Sequence, residues 1–123
     1  MKPDDRPTTK VGKKRASLKR WHDTGITADM SSGQMVGIQI EDDRIAIYCV
    51  NGDFHATDNI CTHAFALLTD GWLDNSVIEC PLHGGRFDIR SGQALGLPVT
   101  RNLRVFPVRV QNLRIEIFCE CPA

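Results

Sequence analysis

Cys61-Thr62-His63 and Cys80-Pro81-Leu82-His83 place one thiol and one imidazole in each of two short segments, with sixteen residues between His63 and Cys80 and the pair Gly84-Gly85 directly after His83. Thiolate sulfur and neutral imidazole nitrogen are the side-chain ligands that hold zinc and iron, so the pattern points to a metal centre. Zinc accepts both types. Zinc fingers, however, put two cysteines in one element and two histidines in another, often on a helix, whereas here each segment mixes the types. A mixed pair per segment suits a centre with two chemically distinct ends. In a 2Fe-2S cluster with one iron on two thiolates and the other on two imidazoles, each segment reaches both irons by giving its Cys to one and its His to the other. A zinc-bound or metal-free interaction module stays open at this point.

The remaining reactive residues offer less. Cys119 and Cys121 form a C-x-C, but two thiols alone do not complete a metal site, and they are read as incidental. Cys49 alternates with Ile45 and Ile47, the pattern of a small core residue. His22 and His55 have no cysteine at ligand spacing and are assigned to surface or strand positions. Asp70, Asp74, Glu79 and Asp88 show no pairing across a cleft that acid-base catalysis would need, so they are read as solvated or loop-capping carboxylates.

The elements that must position the two segments are strands. From Trp21 onward the chain shows short apolar alternations separated by turn residues, and no helical periodicity of useful length. Met35 to Ile40 and Arg44 to Val50 read as a hairpin around Glu41-Asp42-Asp43, with Ile45, Ile47 and Cys49 on one face. Asn51-Gly52 is a tight-turn signal leading to a strand through Phe54 and Ala56. Leu73-Asp74-Asn75-Ser76 turns into Val77-Ile78-Glu79, and Gly84-Gly85 breaks the chain before Arg86 to Ile89, which turns at Ser91-Gly92. Val105 to Val110 and Leu113 to Phe118 form the last two expected strands, joined at Gln111-Asn112. The expected class is all-β.

A chain of 123 residues suits one domain. No apolar run approaches the roughly 20 residues that span a bilayer, so no membrane association is expected. The first twenty residues are polar and basic, with no apolar segment or small-residue cleavage site, and cytoplasmic residence is the simplest reading. Five cysteines, an odd number, fit reduced thiols and metal ligands better than a disulfide framework. The zero net charge conceals an asymmetry: residues 1–20 hold eight Lys or Arg against two Asp, and residues 21–123 hold seven Arg, no Lys and thirteen acids. The basic part is read as a flexible solubilising tail without nucleic-acid function, since it lacks interleaved aromatics. The acidic body suits electrostatic steering towards a basic partner.

The segment from about Trp21 to Phe118 resembles the Rieske ferredoxins of multicomponent aromatic-ring-hydroxylating dioxygenase systems. The resemblance is carried by Asp58-Asn59-Ile60-Cys61-Thr62-His63 and by Cys80-Pro81-Leu82-His83-Gly84-Gly85-Arg86-Phe87-Asp88. It implies the Rieske fold: an antiparallel β-sandwich over residues 21–123 with a small inserted cluster-binding subdomain at about 59–87, preceded by the tail 1–20. It implies one Rieske-type 2Fe-2S cluster on Cys61, His63, Cys80 and His83, near the surface at the tip. Gly96-Leu97-Pro98 resembles the third, proline-bearing loop that covers the cluster. The implied role is a one-electron carrier between a flavin-containing ferredoxin reductase and a terminal Rieske non-haem iron oxygenase. A terminal oxygenase itself needs a further large domain with a 2-His-1-carboxylate iron site, for which 123 residues leave no room, so the chain is expected not to be an enzyme. The alternative is a Rieske-like small subunit of a larger redox enzyme such as assimilatory nitrite reductase, many of which lack the complete ligand set.

Departures from the family's high-potential members bear on redox poise. Those relatives brace the cluster with a disulfide, whose positions match Ala66 and Leu82 here. They also place a serine and a tyrosine hydroxyl to donate to the cluster sulfurs, where this chain has Gly85 and Phe87. Fewer donors leave the added electron less stabilised, so the potential is expected at the lower end of the Rieske range of roughly −150 to +300 mV. The outer N–H groups of His63 and His83 are the expected electron exit. Ala64, Phe65, Leu82, Leu97 and Pro98 form the expected apolar rim around them, with packing beneath the loop as an equal reading for Phe65 and Leu82.

Overall fold

The computed structural model describes residues 17–122, and the expected tail up to residue 16 lies outside the described residues. Among the described residues the strands follow in order as β1 (Ser17–Thr27), β2 (Met35–Ile40), β3 (Asp43–Val50), β4 (Asp53–Asp58), β5 (Trp72–Asp74), β6 (Val77–Glu79), β7 (Arg86–Asp88), β8 (Val105–Phe106), β9 (Val108–Gln111) and β10 (Arg114–Pro122), with a 3-10 turn at Leu68–Asp70. All pairings are antiparallel, and they build three sheets ordered β1-β10-β9, β2-β3-β4-β8 and β5-β6-β7. No helix among the described residues is long and apolar enough to cross a membrane.

The first two sheets make the sandwich. Between them lie Ile45, Ile47, Ala56, Ile115, Ile117 and Cys119, all buried. Each large aliphatic side chain removed from water in this way contributes roughly 1.5–3 kcal/mol. Cys119 is therefore a core residue, as Cys49 is. The Cys121 side chain lies outside the described residues.

β3 departs from the one-sided strand that its Ile45, Ile47 and Cys49 alternation predicts. Residues 45–49 are all buried, because the opposite face, Ala46 and Tyr48, packs into a second cluster with Cys61, Leu68, Ile78, Cys80, Phe87, Ile89, Val99 and Leu103. The Tyr48 hydroxyl donates to Thr57 Oγ1 at 2.8 Å, and the Thr57 hydroxyl donates on to the Asp58 carbonyl at 2.8 Å, so the buried polar groups are satisfied.

Two expectations change at the far end of the chain. The strand expected over Val105 to Val110 is split at Pro107: β8 pairs with β4 in one sheet, and β9 pairs with β10 in the other. Proline has no N–H for a ladder, so a sheet-switching corner is where it is tolerated. β1 begins at Ser17, and Lys19 and Arg20, counted with the tail above, are strand residues opposite Glu120 and Cys119.

The third sheet belongs to an insertion between β4 and β8. It extends to residue 104, beyond the expected limit near 87, because the chain after β7 folds back through a Phe87–Ala94 bridge. Asp58 and Arg104 fasten its base. Each backbone N–H meets the other residue, Asp58 N–H on the Arg104 carbonyl at 3.0 Å and Arg104 N–H on Asp58 Oδ2 at 3.0 Å. The Arg104 guanidinium adds bonds to Asp58 Oδ1 at 2.7 Å and to Asp43 Oδ1 at 3.0 Å.

Candidate metal centre

The first segment leaves β4 at Asn59, a buried polar residue that ties sandwich to insertion. Its N–H donates to the Arg44 carbonyl of β3 at 2.9 Å, and its carbonyl accepts from Leu68 N–H at 2.8 Å. Its side chain accepts from Thr69 N–H at 2.9 Å and donates to Thr69 Oγ1 at 3.0 Å. Above this anchor an Ile60–Leu67 bridge and a Cys61 N–H bond to the Ala66 carbonyl at 3.0 Å close a loop that carries Cys61 and His63.

The second segment joins β6 to β7. Cys80 N–H donates to the Gly85 carbonyl at 2.7 Å and pinches the loop shut. His83 sits at φ 67° and Gly84 at φ 70°, both in the left-handed region. That region is uncommon for a side-chain-bearing residue, and its occurrence at a candidate ligand is the kind of local strain that marks functional loops.

The third loop lies over the second. Leu95 N–H donates to the Arg86 carbonyl at 2.9 Å, and Leu97-Pro98 is a cis peptide. Val99 is buried beside Gly85, where an added Cβ would stand 2.6 Å from Val99 Cγ1. The same loop reaches the first segment at Arg101, whose carbonyl accepts from the Thr62 hydroxyl at 2.9 Å and whose guanidinium donates to the Thr62 carbonyl at 3.0 Å.

The four candidate ligands come together as two pairs. Cys61 and Cys80 are buried in the same cluster, and their thiols interact. Burial pushes the Cys80 thiol above its ordinary range, with the Cys61 contact adding to the effect, while a hydrogen bond from Leu82 N–H to Cys80 Sγ at 3.4 Å works against it. His63 and His83 are exposed, with ring centroids 5.4 Å apart at 75°. Among the described residues no three His, Cys, Asp or Glu side chains converge as a single ion would require. A buried sulfur pair and an exposed nitrogen pair, with each loop contributing to both, fit a binuclear group with unlike ends and so the 2Fe-2S cluster.

Phe65 is 96% exposed and so does not pack beneath the loop, and Leu97 is 87% exposed, which leaves both available to the expected apolar rim. Leu82 is also exposed, at 44%. His22 and His55 lie in β1 and β4, and Asp88 caps the turn after β7 by accepting from Arg90 N–H at 2.8 Å. Asn59, Val99 and the Thr62–Arg101 clasp carry no motif of their own. Asn59 and Thr62 do stand in the stretch Asp58 to His63, Thr62 between the two candidate ligands.

The family model that matches, the Rieske [2Fe-2S] domain, covers residues 20–107. The ferredoxin component of the naphthalene 1,2-dioxygenase system of Pseudomonas putida is 44% identical over 98 residues, which are 80% of this chain and 94% of that protein. Among solved structures, the Sphingomonas yanoikuyae B1 ferredoxin is 35% identical with a TM-score of 0.71, covering 85% of this chain and 96% of its own. A chain from the complex of reduced oxygenase and oxidised ferredoxin in carbazole 1,9a-dioxygenase is 38% identical with a TM-score of 0.71, covering 74% of this chain and 95% of its own. The inserted subdomain with its paired thiols and imidazoles, together with these likenesses, shows that the chain belongs to the Rieske [2Fe-2S] family, grouped by sequence with the ferredoxin components of aromatic dioxygenase systems.

Proposed function

We propose that the chain is a one-electron carrier that accepts an electron from a flavin-containing reductase and delivers it to the terminal Rieske non-haem iron oxygenase of an aromatic-ring dioxygenase system. The observation that carries the reading is the division of donors into a buried pair, Cys61 and Cys80, and an exposed pair, His63 and His83. Cys61 and Cys80 would hold one iron, and His63 and His83 the other. The bound cluster supplies a single reversible electron step. The protein's own part is to keep water from the sulfur side through the Leu68, Phe87 and Val99 packing and to present the imidazole edges outward. Phe65, Leu82 and Leu97 around those edges offer an apolar contact that need bury only a small area, as transient redox encounters do. Cytoplasmic residence belongs to the same proposal and is supported by four free cysteines among the described residues.

The test has two stages. Iron, acid-labile sulfide and low-temperature EPR of the reduced protein establish the cluster, and colourless zinc protein would end the reading. Reduction by a purified reductase, followed by oxidation with a purified oxygenase, then shows the shuttle. Stable co-purification within a larger enzyme would replace the shuttle with a fixed subunit.

A further inference from the structure

We propose that Arg101 is a positioning residue for the cluster loop and, through its fixed positive charge, raises the cluster's reduction potential. The proposal rests on the ferredoxin reading above. Thr62 stands between the candidate ligands Cys61 and His63, and Arg101 grips it twice, through a backbone carbonyl and through the guanidinium. The two bonds join the first loop to the far end of the insertion, 39 residues away. A hydroxyl bond alone would hold the loop. The second bond brings a permanent cation to the peptide linking two ligands, since guanidinium does not deprotonate in proteins.

The charge has a direction of effect. A diferric cluster with two sulfides, two thiolates and two neutral imidazoles has no net charge, and one added electron makes it −1. A nearby cation therefore stabilises the reduced form. Arg86 is the other cation between Gly85 and Arg101 with an exposed side chain besides Arg90, which Asp88 neutralises at 3.2 Å. Among the described residues Arg101 has no such carboxylate among its hydrogen bonds, and its guanidinium is given to the Thr62 carbonyl. Its exposure to solvent sets a limit, so an effect of about threefold to tenfold in the reduction equilibrium is expected, which is about 30–60 mV.

The test is a dye-mediated redox titration of the cluster-loaded full chain, with iron, sulfide and the visible spectrum measured on each variant. Arg101→Gln keeps a donor and loses the charge, Arg101→Met keeps only the stem, and Arg101→Lys keeps the charge. The neutral variants should load the cluster and titrate about 30–60 mV lower, with the difference from the parent shrinking in 1 M salt, where screening acts within about 3 Å. Arg101→Lys should stay close to the parent. Thr62→Val, which breaks one bond and leaves the cation in the chain, should also hold the parent midpoint. Fully loaded neutral variants at the parent potential would overturn the proposal, as would an equal drop in Arg101→Lys. Failure of both neutral variants to load while Arg101→Lys loads would make Arg101 a structural brace and overturn the electrostatic role. Absence of iron and sulfide from the parent itself would instead defeat the ferredoxin reading.

Discussion

Gly85 faces Val99 so closely that a Cβ on Gly85 would stand 2.6 Å from Val99 Cγ1. The third loop is thus seated on the glycine that ends the second, and the space a serine hydroxyl would need at this position is filled by a valine. Gly85→Ser is expected to destabilise the fold by about 1–3 kcal/mol through overpacking, measured by urea denaturation. With Val99→Ala in the same chain the space opens, and the added hydroxyl should raise the midpoint relative to Val99→Ala alone.

The Asp58–Arg104 clasp predicts a local loosening. Arg104→Met removes the guanidinium bonds to Asp58 and Asp43. The pairs are partly exposed, and the guanidinium contact over the Phe106 ring at 5.4 Å goes with them, so the expected loss is about 1 kcal/mol. Faster hydrogen exchange at the Asp58 and Arg104 amides, which bond across the base of the insertion, is the sharper readout.

Acid should weaken the fold through two histidines outside the centre. Burial foremost, with Arg20 assisting and Glu41 opposing, holds His22 below its ordinary value of 6.5, and among the described residues its buried Nε2 has no hydrogen-bond partner. Burial foremost also lowers His55, with Arg90 assisting and Asp53 and Asp88 opposing. The unfolded chain takes up these protons as pH falls through 6.5 while the folded chain resists. Stability is therefore fully present above 6.5 and declines as pH drops towards the lowered folded values. His22→Phe should flatten part of that decline when denaturation midpoints of parent and variant are compared from pH 8 to 5; an unchanged slope would count against the assignment.

The β9–β10 turn holds an avoidable strain. Asn112 at φ 53° and Leu113 at φ 64° form its two central residues, and Leu113 is 77% exposed. A leucine in the left-handed region costs about 1–2 kcal/mol, whereas Asn-Gly is the sequence this turn favours. Leu113→Gly is expected to raise the melting temperature by a few degrees, roughly 1 kcal/mol of stability.

Ligand substitutions separate the cluster from the fold. His63→Ala and His83→Ala should abolish the visible spectrum, and His83→Cys should retain iron with an altered EPR signal. Because both imidazoles are exposed, these variants are expected to lose little packing, and far-UV circular dichroism should stay near that of the parent.

The candidate centre was legible because metal ligands need particular atoms at particular spacings, and Cys61, His63, Cys80 and His83 supply them as a buried thiol pair and an exposed imidazole pair. Turns were legible for a related reason: Asn51-Gly52 adopts φ 51° and 84°, conformations few residue pairs tolerate. What stayed hidden depended on tertiary context. Ala46 and Tyr48 look like the polar side of a half-buried strand until the insertion covers them. The strand expected over Val105 to Val110 runs straight through Pro107, where the structure divides two sheets. Asn59, Val99 and Arg101 act through backbone groups and close packing, which leave no spacing signature in the chain.

β3 is the wall shared by both halves of the molecule, with Ile45 and Ile47 turned to the sandwich and Ala46 and Tyr48 turned to the insertion. A strand enclosed on both sides cannot release one neighbour without exposing the other. Bleaching on heating and the melting of the sheets should consequently be one event, and a carrier that has lost its shape should have lost its colour at the same temperature.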